Sequence, residues 1–169
     1  MLEIKLLTLI IIANGSPIVA SKVMGKRWQL PLDARKLFID RKPLFGDTKT
    51  WRGIFASCFL TILAAWIFQL HMITGLLIAL CAMLGDLLSS FIKRRLGMSP
   101  STRALGLDQI PESLLPMLMV KSFASALLPP ILQGDMTWAL VWEVIVMFFV
   151  AGLLLSKMLY YLHIRNKPY

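Results

Sequence analysis

The sequence predicts an all-α integral membrane protein: a bundle of five transmembrane helices with two cytoplasmic loop regions, amino terminus outside and carboxyl terminus inside. Three observations carry this prediction. The 169 residues are 57% hydrophobic with a mean hydropathy of +0.72, more apolar than soluble domains, and in water such a chain would expose large apolar patches. Five apolar runs approach the ~20 residues needed to cross a hydrocarbon core, and no strand-like alternation recurs, so helices are the spanning structure. Finally, the loops between the runs are alternately basic and free of Lys and Arg, as the positive-inside rule requires. The length suits one domain, residues 1–169.

The first run extends from Ile4 to Met24 and is interrupted by Asn14, Gly15, Ser16 and Pro17. It lacks a basic start and a clear small-residue cleavage site, so it reads as a retained helix rather than a cleaved signal. Near mid-membrane, Asn14 is placed to satisfy backbone freed by Pro17. The second run is Gly53 to Leu70, the third Met72 to Ile92, the fourth Ser113 to Leu132 and the fifth Met136 to Leu162. Between the first two lie Lys26, Arg27, Arg35, Lys36, Arg41, Lys42, Lys49 and Arg52; Lys93, Arg94, Arg95 and Arg103 follow the third. Gln69 to Met72 and Pro129 to Thr137 contain no Lys or Arg. Residues 25–52 and 93–112 therefore form the cytoplasmic side, and their Gly, Pro, Asp and Ser content predicts ordered loops.

The net charge of +9 belongs to these loops. It favours anionic lipid headgroups and phosphorylated substrates, and nucleic acid is not expected, since no basic segment is interleaved with aromatics in a soluble module. Cys58 and Cys81 sit inside apolar runs without metal-ligand spacing and read as small buried hydrophobes. The apolar faces of so small a bundle suit a homodimer, although no motif decides it.

Three polar segments carry chemistry. Residues 46–53, Gly-Asp-Thr-Lys-Thr-Trp-Arg-Gly, stand at the mouth of the second helix. Asp47, Lys49 and Arg52 there are candidates for phosphate and substrate binding, or, with Trp51, for anchoring at the interface. The Walker spacing is absent. In residues 85–95, Asp86, Ser90 and Lys93 fall on one helical face, with Ser89 beside them. Asp86 lies roughly 9 Å inside the run, where a carboxylate needs a partner, water or a metal. Lys121, about 12 Å into the fourth run, is a candidate partner, or it reaches a substrate phosphate. In residues 107–113, Asp108 and Glu112 either complement the start of the fourth helix or supply oxygens to Mg²⁺. Acids for Mg²⁺, cations for phosphates and helices around lipid tails suit phosphoryl or nucleotidyl transfer onto a lipid phosphate.

The segments GDTKTWRG (46–53), GDLLSSFIKRRLG (85–97) and LDQ (107–109), with Ala13-Asn14-Gly15-Ser16-Pro17 and Pro31-Leu32-Asp33, resemble the CDP-archaeol synthase family. That family belongs to the CDP-diacylglycerol synthase-like membrane cytidylyltransferases, and the resemblance covers essentially the whole chain. It implies attack of a lipid phosphate oxygen on the α-phosphate of CTP, giving a CDP-lipid and pyrophosphate with Mg²⁺ as cofactor. The lipid would be an archaeal-type ether lipid phosphate or phosphatidic acid. By the same resemblance, Asp86, Asp108 and Lys93 are catalytic, and Asp47, Lys49, Arg52, Lys93 and Arg94 hold the substrates. Asp86 and Asp108 are the metal carboxylates, with Glu112 as the substitute for the acid the pattern places at Pro111. The implied setting is phospholipid biosynthesis at the cell membrane, with the site facing the cytoplasm. One departure stands out: the broader pattern has two acids three apart in the last motif, whereas here Pro111 takes the second position and Glu112 follows it. A CTP-dependent lipid kinase and a non-catalytic lipid- or nucleotide-binding homologue remain as alternatives. A transporter would need a polar path across the membrane, and Glu143 is the one ionisable residue deep in the outer half.

Overall fold

A computed structural model describes residues 1–25, 27–99, 104 and 106–161, with side chains as far as Leu154. Seven helices follow one another among these residues: α1 (Leu2–Met24), α2 (Trp51–Ile67), α3 (Met72–Arg95), α4 (Gln109–Ser122), α5 (Ala124–Leu127), α6 (Pro130–Gln133) and α7 (Trp138–Tyr161). No strand is present among the described residues; the extended pieces are two isolated bridges, Pro31 with Thr50 and Leu37 with Pro43. By length and composition alone, α1 and α3 can cross a membrane, and α2 and the described part of α7 are shorter apolar helices.

Four of the five predicted runs become single helices within a few residues of their expected ends. The fourth does not. Its helix stops at Ser122 and the chain continues through the single turns α5 and α6, and Pro129-Pro130 keeps α5 from running on as one long helix. Gln133 stabilises this break by donating to the carbonyls of Ser125 and Leu128. At 14 residues, α4 is only about 21 Å long. Pro111 sits in its first turn, where a missing N–H costs no intrahelical bond.

α1 stays helical through Pro17 because another helix repairs it. Pro17 has no N–H for the carbonyl of Ala13, and Ser57 Oγ of α2 donates there at 2.8 Å. Asn14, expected to do this, donates instead to Ile10 O. Ser57→Ala should leave the Ala13 carbonyl buried without a donor, a loss of about 1–3 kcal/mol. Thermal unfolding in detergent should show it, and Pro17→Ala in the same chain should recover most of it by restoring the helical N–H. A Ser57→Ala variant as stable as the parent would remove Ser57 from this role.

Away from the basic loops the core is large and aliphatic, with Leu2, Leu6 and Leu9 of α1, Ile78 of α3, Met117 and Val120 of α4, and Val141 and Val144 of α7 all buried. Ala13, Ala79 and Ala82 form a second cluster of small residues, which lets helices approach closely. A Cβ at Gly75 would lie 2.6 Å from Thr61 O, and one at Gly85 would lie 2.3 Å from Pro111 O. Outward-facing side chains such as Ile4, Phe55, Phe59, Leu84, Trp142 and Val146 are exposed, an apolar girdle that suits lipid rather than water.

Candidate active site

The first basic loop folds around Asp33, which is 7% exposed. Its carboxylate accepts the backbone N–H groups of Arg35, Phe45 and Gly46. Burial opposes the charge, but these three donors outweigh it and hold the Asp33 carboxyl below its ordinary range. The fold of the loop therefore gains stability above the unfolded value near pH ~3.9 and loses it as pH falls through the lower folded value. Asp33→Asn should raise hydrogen exchange in residues 27–50 at neutral pH to the level the parent shows only in acid. Unchanged exchange would mean the loop does not depend on this carboxylate.

The far end of the loop is clamped to the end of α3. Arg95 pairs with Asp40 at 2.5 Å, donates to Pro43 O and lies over the rings of Phe38 and Phe91. Lys42 donates to Arg95 O. The loop then re-enters the bundle through Leu32 N–H to Lys49 O and Trp51 N–H to Leu30 O. Thr50 caps α2 by accepting Gly53 N–H, which delivers Lys49 to the helices.

Lys49 Nζ meets both oxygens of Asp86, at 2.5 and 2.6 Å, so the partner of Asp86 is Lys49 and not Lys121. Lys121 lies at the other end of α4, donating to Met136 O and facing the Trp138 ring. Glu112 stands near Asp86, within electrostatic reach of Lys49 and Asp108. The close packing at Gly85 against Pro111 and Glu112 N makes this meeting of α3 and α4 possible.

A second pair completes the cluster. Lys93, 7% exposed, lies 2.6 Å from Asp108 Oδ1, an ion pair without the angle of a directed hydrogen bond. Asp108 Oδ2 accepts Ala104 N–H. Asp108 does not cap α4 with its side chain; it faces Lys93 instead.

Lys49, Asp86, Glu112, Asp108 and Lys93 thus come together, while three other predicted residues go elsewhere. Arg52 donates to the carbonyls of Gly25 and Arg27, and Arg94 donates to Ser99 O. Both residues are buried, and their guanidiniums fix backbone turns outside the cluster. Asp47 stays 68% exposed and pairs with Arg35 at 3.4 Å, outside the cluster. Ser57 and Gly85 escaped sequence reasoning. Pro17 signalled that the Ala13 carbonyl needed a donor, but nothing local identified which residue would supply it.

Among the described residues no three acidic, His or Cys side chains close around one point, so the three-carboxylate metal set of Asp86, Asp108 and Glu112 does not form as a unit. A smaller set fits. Asp86 and Glu112 lie side by side, with the Lys49 ammonium on Asp86. Hard oxygen donors of this kind suit Mg²⁺, which usually takes one or two carboxylates and completes its shell with phosphates and water.

Comparison with known proteins agrees with this frame. The family pattern CarS-like, CDP-archaeol synthase, matches residues 1–169. A CDP-archaeol synthase of Thermofilum pendens is 38% identical over 104 residues, 59% of this chain and 51% of the relative. One of Pyrobaculum arsenaticum is 36% identical over 118 residues, 67% of this chain and 70% of the relative. The alignment thus spans about half the length of the first relative. A solved intramembrane enzyme of archaeal membrane lipid biosynthesis superposes with a TM-score of 0.61 at 29% identity, covering 88% of this chain and 91% of that one. With the pattern matched from end to end and the same helical frame in an intramembrane enzyme, this membrane protein belongs to the CarS-like CDP-archaeol synthase family.

Proposed function

We propose that the chain is a CTP-dependent cytidylyltransferase acting on a phosphorylated glycerolipid, with an archaeal-type ether lipid phosphate as the preferred substrate. The observation that carries this reading is the cluster of two lysines and three acids at the basic end of an apolar bundle. A lipid phosphate oxygen forms a bond to the α-phosphorus of CTP, the bond from that phosphorus to the α–β bridging oxygen breaks, and pyrophosphate leaves. No protein nucleophile is required, so the protein supplies position and charge.

In this reading Lys49 and Lys93 exchange their carboxylate partners for phosphate oxygens as substrates enter, which places two cations where negative charge gathers. Asp86 and Glu112 would hold Mg²⁺. When bound, that ion neutralises phosphate charge and orients the leaving pyrophosphate. Asp108 holds Lys93 between substrates. Pro111 removes no ligand that Glu112 cannot supply, since Glu112 is the residue beside Asp86, and this favours activity over a non-catalytic homologue. The five-pass topology with the basic loops and the site on the cytoplasmic side follows from the charge pattern.

Purified protein in detergent, with CTP, Mg²⁺ and an unsaturated ether lipid phosphate, should release pyrophosphate and form CDP-lipid in equal amounts. Chelation of Mg²⁺ should abolish both. CDP release with phosphorylation of a lipid alcohol would establish a kinase instead. CTP binding with no product from any lipid phosphate would establish a non-catalytic homologue.

A further inference from the structure

We propose that the seam between α1 and α2 seats a resident membrane lipid with an anionic phosphate headgroup, separate from the lipid that reacts. A groove of about 360 Å³ runs along this seam, lined by Ile12, Gly15 and Val19 of α1 and by Leu60, Leu63 and Ile67 of α2. A Cβ at Gly15 would meet nothing within 4 Å, so the notch there is open space. Residues 12, 15, 19 and 22 advance by three, four and three positions and therefore share one stripe of the helix. Lys22 stands one turn beyond Val19, at the basic end of the groove.

A second pocket lies there, of about 490 Å³, lined by Lys22, Val23, Met24, Gly25, Arg27 and Trp28. Arg52 shapes it from within through the Gly25 and Arg27 carbonyls. Neither Lys22 nor Arg27 has a side-chain partner among the described residues, as is also true of Lys36 and Arg41 farther along the loop, whereas Lys5, Lys49, Lys93, Lys121, Arg52, Arg94 and Arg95 each have one. Among the described residues no acid lines the pocket. Trp28 is 77% exposed, as an aromatic at the headgroup level is.

From Ile12 to Lys22 the axial distance is roughly 15 Å, the depth of one leaflet in a core of ~30 Å. On the α2 wall the groove continues from Leu60 to Ile67, toward the end where Lys5 donates to Phe68 O, so a chain in the seam would run past mid-membrane with its phosphate beside the two unpaired cations Lys22 and Arg27. The reacting cluster belongs to α3 and α4 and to Lys49, which turns away toward Asp86. The inference rests on the membrane location and not on the proposed reaction.

Native mass spectrometry of the full chain in detergent, titrated with dioleoyl phosphatidylglycerol or dioleoyl phosphatidylcholine, tests it. One phosphatidylglycerol should bind about 10-fold more tightly than phosphatidylcholine, because each basic side chain near the surface adds attraction. Lys22→Gln with Arg27→Gln should erase the preference. Gly15→Leu should fill the notch and weaken both lipids, and the open space there lets this variant fold, as its melting temperature would verify. Turnover with saturating substrate should stay within about two-fold of the parent in both variants. Equal binding of the two lipids, or undiminished binding to Gly15→Leu, would overturn the proposal. A loss of turnover parallel to the loss of binding would also overturn it, by making the seam the seat of the reacting lipid.

Discussion

Asp86→Asn is expected to lower turnover by at least about 10²-fold while leaving the bundle folded. Asparagine keeps the shape of the side chain but removes the charge that faces Lys49 at 2.5 and 2.6 Å and that, beside Glu112, makes a cation site. The pair is 22% exposed on both sides, so solvent screens part of the loss and the stability change should be small. A purely structural ion pair predicts something different: neutralising both partners, Asp86→Asn with Lys49→Met, would restore function, since removal of a whole pair is often neutral. The double variant is expected to remain inactive. Parent-like turnover in Asp86→Asn, or recovery in the double variant, would remove Asp86 from the chemistry. Steady-state CDP-lipid formation and melting temperature measured on the same samples separate these cases.

Gly85→Ala should be the most damaging single methyl group in the protein. Its Cβ would lie 2.3 and 2.5 Å from the Pro111 carbonyl and 2.7 Å from Glu112 N. All three are backbone atoms, so no side chain can swing aside and α3 must move from α4 by about 1 Å to reach ordinary contact. Overpacking of this kind costs about 1–3 kcal/mol. Its effect on activity should exceed its effect on stability, because the displaced pair of positions is Asp86 and Glu112, and a shift of ~1 Å at a reacting centre costs about 10²-fold. Gly15→Ala is the internal control: nothing lies within 4 Å there, and alanine favours the helix by up to ~1 kcal/mol over glycine. A Gly85→Ala variant with parent-like melting and turnover would show that the helices have slack at this crossing.

Much of the architecture was legible without coordinates because it rests on quantities that add up locally. Hydropathy over about twenty residues marks a buried or lipid-facing helix wherever its neighbours are, and α1, α2, α3 and α7 begin and end near the predicted limits. The polar segments were legible for the same reason, since Asp86 within an apolar run is costly in any arrangement. The end of α4 at Ser122 was missed because the fourth run is apolar enough on average to read as one helix despite Lys121 and Pro129-Pro130.

What the sequence determined by itself was the class of the molecule, a helical membrane protein, and a list of candidate site residues: Asp47, Lys49, Arg52, Asp86, Lys93, Arg94, Asp108 and Glu112. Which of these groups meet was decided only in three dimensions. By charge and depth the sequence offered Lys121 as the partner for Asp86 and left Lys49 to phosphate, and Arg52 and Arg94 were as suited to phosphate as the lysines. The choice depends on how far each helix slides and rotates against the next. Those offsets are set at the crossings of Gly53 with Pro17, Gly75 with Thr61 and Gly85 with Pro111. They place Lys49 on Asp86, Ser57 on the Ala13 carbonyl, and Lys121 at the far end of its helix. Contacts between residues tens of positions apart depend on the fit of whole helices, and local composition carries no record of that fit.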